Sequence, residues 1–172
     1  HSFPTRRSSD LRGHKEIGYL QGNFRTEAFC SRFMGYMSAM RKFGLPIKNE
    51  YIVSLRPNMN DAYKDMLSFL KKRPNLPSAF YADNDMIAIG VIRALRDTGY
   101  KVPEDVSIIG FDNSAFGEIC SPPLTTMEVP YREMGRLAVR RIVDVIKGDT
   151  VKTKVQVCTN FIERNSVIDK SV

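Results

Sequence analysis

Strand-like and helix-like patterns alternate from Glu16 to Phe111. "EIGYLQG" reads as a short buried strand ending in a glycine turn. Beyond it, Phe29, Phe33, Tyr36, Met37 and Met40 recur at helical spacing and predict a helix over about 26–43, closed by Gly44. "YIVSL" predicts a second strand, and Ala62, Met66, Phe69 and Leu70 predict the buried stripe of a helix over about 60–72, ahead of Pro74 and Pro77. "SAFYA" and "VSIIGF" predict two further strands. Between them lies a helix over about 86–98, with Asp85 at its expected N-cap and Gly99 at its end.

Strands alternating with helices through short connections imply right-handed crossovers, and hence a doubly wound parallel α/β sheet. After "CSPPLTT" the pattern changes. "LTTMEV" predicts a strand, and Pro130 opens a helix whose expected buried face is Met134, Leu137, Ala138, Ile142 and Val145. "KVQVC" and "NFIER" predict two last extended pieces. The Pro122-Pro123 pair and the polar stretch near 148–153 have the character of crossings between two lobes. Residues 1–11, "HSFPTRRSSDL", share no pattern with the rest and are expected to be a foreign or cloning-derived leader.

Two of the strands run directly into carboxylate and amide side chains. In an open parallel sheet the residues just past the strand carboxyl ends face one crevice, so Asp83, Asn84, Asp85, Asp112 and Asn113 can converge on one small polar ligand. Composition narrows the alternatives. The formal charge of +7 comes from Lys and Arg interleaved with acids, without the basic clusters among aromatics of a nucleic-acid groove. No apolar run approaches the ~18 residues of a membrane span. Cys30, Cys120 and Cys158 are odd in number and far apart, which fits a reducing cytoplasm and gives no metal spacing. With only His1 and His14 and no nucleophile, base and acid arrangement, neither catalysis nor a cofactor is expected.

The segments "SRFMGYMSAM", "PSAFYADNDMIAIGVIRALRDTGYKVPEDVSIIGFDN", "SPPLTTMEVPYREMGRLAVRRI" and "IERNSV" resemble, in order and spacing, the effector-binding core of the LacI/GalR family of bacterial transcriptional repressors. That core shares its fold with periplasmic sugar-binding proteins of type I. The resemblance implies a two-lobed clamp that closes on a ligand and thereby sets how a homodimer presents a separate helix-turn-helix headpiece to operator DNA. On this pattern residues 12–121 form the ligand-binding lobe, 122–149 are the strand and helix remnant of the other lobe, and 150–172 return to the first. The headpiece and most of the second lobe fall outside this sequence.

The resemblance also assigns candidate residues. Arg32 matches a ligand-contacting arginine, and its place beside the apolar stripe favours that role over a surface ion pair. Asp112 matches the acid of the family's "G-(F/Y)-D" segment, able to accept two sugar hydroxyls, against the alternative of a turn cap. Asn84 matches a polyol contact, whereas Asp85 is expected to cap its helix before it touches ligand. The stacking aromatic of sugar-binding members is replaced by "SLRPNMND", leaving Phe24 and Phe116 as substitutes unless they belong to the core. Met86, Ile89 and Arg93 give the helix over 86–98 a second apolar side, either the dimer face or simply a buried one. A carbohydrate is therefore the expected effector and the alternative reading is a solute-binding protein of a sugar uptake system; neither involves a membrane span or a metal.

Overall fold

β1 (Ile17–Gly22) lies inside a parallel sheet of order β2-β1-β3-β4, flanked by β2 (Ile52–Leu55) and β3 (Ala79–Ala82), with β4 (Ser107–Ile109) beyond β3. The computed structural model describes residues 13–24, 26–149 and 154–171. Register places Tyr19 opposite Ile52 on one side and Tyr81 on the other, and carries Leu20 opposite Val53 and Ala82. Adjacent strand residues face opposite sides, so Tyr19 and Leu20 seed two different cores.

On one face, Tyr19 packs with Tyr36 and Met40 of α1 (Glu27–Lys42). On the other, Leu20, Val53, Leu55, Phe80 and Ile108 meet Met66 of α2 (Met59–Leu70) and Ile87, Val91 and Leu95 of α3 (Asp85–Asp97). Helices on both faces of an all-parallel sheet are the doubly wound α/β architecture the alternation predicted. Thr26 caps α1 by accepting from the Phe29 N–H, and Gly44 follows with φ 64°. α3 approaches α2 through Gly90: a Cβ built there falls 2.4 Å from the Met59 carbonyl oxygen. Any larger side chain would push the two helices apart, at a cost of about 1–3 kcal/mol.

Beyond β4 come the short α4 (Ala115–Ile119), β5 (Thr126–Glu128), α5 (Tyr131–Ile146) and β6 (Asn160–Ile162). β5 and β6 form a separate antiparallel ribbon, joined to the first sheet by parallel bridges from Ile109 to Thr125 and from Asp112 to Glu128. The chain then runs back along β4. Ser166 is fully buried, donates from Oγ to the Ile108 carbonyl at 2.6 Å, and accepts from the Thr125 N–H at 2.8 Å. His14, also buried, lies within 2.9 Å of the Ser78 hydroxyl and 3.1 Å of the Ile168 carbonyl, so the first and last described segments are fastened together.

One expectation fails here. The stripe Met134, Leu137, Ala138, Ile142 and Val145 of α5 is not buried, because α5 has no buried residue and the ribbon beside it is too narrow to cover a helix face. Of the two last extended pieces, "NFIER" supplies β6, while "KVQVC" belongs to no strand. The leader at 1–11 lies outside the described residues. No helix among the described residues is long and apolar enough to cross a membrane.

Candidate functional site

The direction of winding reverses between β1 and β3, and at such a point the carboxyl ends of neighbouring strands open onto a crevice. The side chains there are organised by Asp83, the first residue past β3, which is fully buried. Its carboxylate accepts from the Tyr19 hydroxyl and, at 2.7 Å, from the Gly22 N–H, tying the end of β3 to β1. Burial and the adjoining carboxylate push the Tyr19 hydroxyl far above its ordinary range, so it is a permanent donor.

Arg32 comes in from α1 and donates to the Asp83 carbonyl. Its guanidinium lies 3.8 Å over the Phe111 ring and 5.6 Å from the Phe29 ring centroid, so stacking fixes its plane. The other terminal nitrogen points to Asp112 Oδ1 at 3.4 Å, with 16% of the arginine and 30% of the aspartate side chain accessible. A fixed cationic donor and a partly exposed acceptor thus border one opening, the pairing needed to grip neighbouring hydroxyls or a carboxylate. Asp112 sits on strained backbone, with φ 121°, and Asn113 follows at φ 58°. Burial raises the Asp112 pKa, Arg32 opposes that, and nearby Asp85 adds to it.

The adjacent pair Asn84 and Asp85 exchange their expected places. Asn84 caps α3, its Oδ1 accepting from the Ile87 N–H at 2.9 Å, so only its amide NH₂ stays available to a ligand. Asp85 is not the cap. It is the first helical residue, 1% exposed, and accepts from the Ser114 N–H at 2.7 Å and the Thr126 hydroxyl at 2.6 Å. Both carboxylate oxygens are engaged, which makes Asp85 a tie between α3, the loop after β4 and β5. Gly110 leaves room for it, since a Cβ there would fall 2.2 Å from Asp85 Oδ1.

Phe24 and Phe116 are not core residues, being 54% and 50% exposed. Phe24 packs at 5.9 Å on Phe29, beside the Arg32 stack, and Phe116 lies on α4 just past Asp112 and Asn113. On α3, Ile89 is 8% exposed and belongs to the core, Met86 is half-buried, and Arg93 is exposed with its guanidinium 4.3 Å over Tyr63. Three further residues carry the site. Phe111 orients Arg32, Arg164 donates to Asn113 Oδ1 at 2.8 Å and to the Leu124 carbonyl at 2.8 Å, and Tyr131, its hydroxyl pKa raised by burial and by Asp112, lies near that acid. Phe111 was legible as the aromatic preceding Asp112; no local signal marks the other two. A cavity of about 390 Å³ lined by Glu16, Leu76, Tyr100 and Asp105 lies at the opposite, amino ends of the strands and includes none of these side chains. Among the described residues no group of His, Cys, Asp and Glu could hold a metal ion.

Residues 11–167 match the family described as the periplasmic binding protein-like domain. The NTD biosynthesis operon regulator NtdR of Bacillus subtilis is 34% identical over 157 residues, 90% of this chain and 47% of that protein. The HTH-type transcriptional repressor CytR of Escherichia coli is 36% identical over 139 residues, 81% of this chain and 40% of that protein. A solved complex of the transcriptional regulator CelR with cellobiose superposes with a TM-score of 0.82 at 29% identity, covering 92% of this chain and 49% of that one. The chain spans about half the length of the curated relatives it matches, and those relatives are regulators rather than enzymes. A doubly wound sheet of this topology, matched along nearly its whole length to such regulators, places this chain in the LacI/GalR family of transcriptional regulators, as part of their periplasmic-binding-protein-like domain.

Proposed function

We propose that this chain is the effector-sensing part of a DNA-binding repressor of the cytoplasm. It binds a small polar ligand, a sugar, between two lobes, and closure of the lobes controls how a separate helix-turn-helix headpiece meets operator DNA. The observation that carries this reading is the pair Arg32 and Asp112, 3.4 Å apart at the switch point, one held rigidly as donor and the other left accessible as acceptor. Asn84 through its amide, and Phe24 and Phe116 as apolar faces, complete the proposed contacts; Asp85 acts only by holding the loop. The separate β5–β6 ribbon supports assigning 122–149 to the second lobe but takes Asn160–Ile162 with it, so the return to the first lobe is supported from Ser166 to Ile168, along β4. Kinship with repressors favours a regulator over an uptake protein, and the cellobiose in the CelR complex favours a saccharide.

A thermal-shift screen of the full-length protein against mono- and disaccharides, cellobiose included, tests the ligand class. A ligand at 100 times its Kd adds ~2.7 kcal/mol of stability. A saccharide that shifts the wild-type protein and leaves Arg32→Ala unmoved is the expected result. A panel without any shift, or one that shifts both proteins equally, would contradict it.

The proposed homodimer uses the outer side of α3. Beside Met86 and Arg93, a cavity of about 280 Å³ lined by Ile89, Ile92, Arg96 and Ile119 opens there, and Ile119 is 79% exposed. An isologous contact repeats such a patch across a two-fold axis. Ile119→Lys is expected to convert a dimer at tens of micromolar into a monomer by light scattering; a wild-type protein already monomeric there would remove the proposal.

A further inference from the structure

Two residues in a row, Asp112 at φ 121° and Asn113 at φ 58°, take backbone conformations that side chains other than glycine disfavour, so the turn presenting the acid is held from outside. The backbone is tied on either side, the Asp112 N–H to the Met127 carbonyl at 2.8 Å and the Ser114 N–H to Asp85. Between those ties the Asn113 side chain is gripped in turn: its Oδ1 accepts from Arg164 at 2.8 Å, and its amide lies 3.4 Å from Glu128 Oε1. Arg164 is itself set by three further contacts. Nη1 donates to the Leu124 carbonyl at 2.8 Å, Nη2 to Glu118 of α4 at 3.0 Å, and the backbone N–H to Thr125 Oγ1 at 3.0 Å. Only 14% of its side chain is accessible, far less than a surface ion pair with Glu118 requires.

We propose that Arg164 is a positioning residue for effector binding: by holding Asn113 against Leu124, just before β5, it fixes where the neighbouring Asp112 carboxylate meets the ligand, without touching the ligand itself. This rests on the effector reading above. A guanidinium suits the task because its donors are rigidly forked, so the Asn113 oxygen and the Leu124 carbonyl are kept at one separation. Leu124 and Thr125 lead into the ribbon and Arg164 leads out of it, so the acid is referenced to both connections as well as to β4. Strained backbone persists only where its surroundings over-determine it. Without Arg164 the turn relaxes, and the Asp112 oxygens shift away from ligand hydroxyls whose bonds weaken steeply with geometry. Loss of Arg164 therefore weakens binding only as far as Asp112 takes part in it.

Calorimetric titration of the full-length protein with the saccharide panel that includes cellobiose tests this. Arg164→Ala is expected to weaken binding of the active saccharide about 10-fold, on the order of one hydrogen bond. In an Asp112→Gly background the same substitution is expected to change the remaining affinity less than about 2-fold, the non-additivity of residues that act through one another. Equal weakening in both backgrounds would make Arg164 a ligand contact or a general support of the fold and overturns the proposal, as does no weakening in either. Should Arg164→Ala not fold, Arg164→Lys carries the same cycle, since its ammonium keeps the charge and lacks the fork. Hydrogen exchange without ligand gives the second arm. The substitution is expected to speed exchange of the Asp112 and Ser114 amides about 10-fold and to leave those of β1 and β3 at wild-type rates. Unchanged exchange at 112 and 114, or the same acceleration throughout, overturns the proposal. If no saccharide binds the wild-type protein, the effector reading falls and the exchange result alone decides whether Arg164 holds the turn.

Discussion

Replacing Asp85 by Ala is expected to lower the unfolding free energy of the full-length protein by about 3 kcal/mol in urea. The residue is buried and leaves two donors behind, the partly buried Ser114 N–H and the fully buried Thr126 hydroxyl. Each buried donor left without an acceptor costs about 1–3 kcal/mol. Asp85→Asn keeps one acceptor oxygen but turns a second donor toward one of those groups, so it should recover at most part of the loss. The loss would fall on three elements at once, because the carboxylate joins α3 to the loop after β4 and to β5. A drop of less than about 1 kcal/mol for Asp85→Ala would mean that the network re-forms through water and that Asp85 is not the tie described.

Asp112→Gly is expected to separate function from stability in the opposite sense. Losing two hydrogen bonds from ligand hydroxyls to a charged acceptor corresponds to about 3 kcal/mol, or roughly 150-fold in affinity for the saccharide found by screening. The fold, by contrast, should lose nothing and gain slightly. At φ 121° any side chain is strained, and glycine relieves that strain. The charge acts in the same direction. Burial raises the Asp112 pKa above its unfolded value of 3.8. At neutral pH the folded state therefore carries the cost of an ionised acid, which fades as the pH falls through the raised folded value and is absent below 3.8. The stability advantage of Asp112→Gly should accordingly shrink below about pH 4. A variant that loses both affinity and several kcal/mol at pH 7 would show that Asp112 is held for packing and not for binding.

Much of this site could be read from the chain, for reasons that particular residues make plain. Asp112 was legible because it stands just past the carboxyl end of a strand, where parallel order opens a crevice, and Arg32 because it matches the family's arginine and lies beside the apolar stripe of α1. Asn84 and Asp85 were legible as a pair but not individually. Both are good helix caps, and a shift of one residue, invisible to pattern, decides which accepts from the helix and which turns inward. Tyr131 and Arg164 reach the site from distant stretches of sequence, so no local spacing could have revealed them. The α5 stripe is a different case: its apolar positions are real, but burial needs a partner surface that the two-stranded ribbon of β5 and β6 is too small to supply. Phe24 and Phe116 were suspected of belonging to the core because aromatic side chains generally do; a loop position for Phe24 and a short surface helix for Phe116 left them exposed.

The most direct test of the central claim is a crystal structure of the full-length protein with the saccharide that stabilises it. The account predicts ligand oxygens within ~3.2 Å of both the Arg32 guanidinium and the Asp112 carboxylate. A saccharide bound elsewhere, with Arg32 and Asp112 still facing each other across an untouched opening, would contradict it.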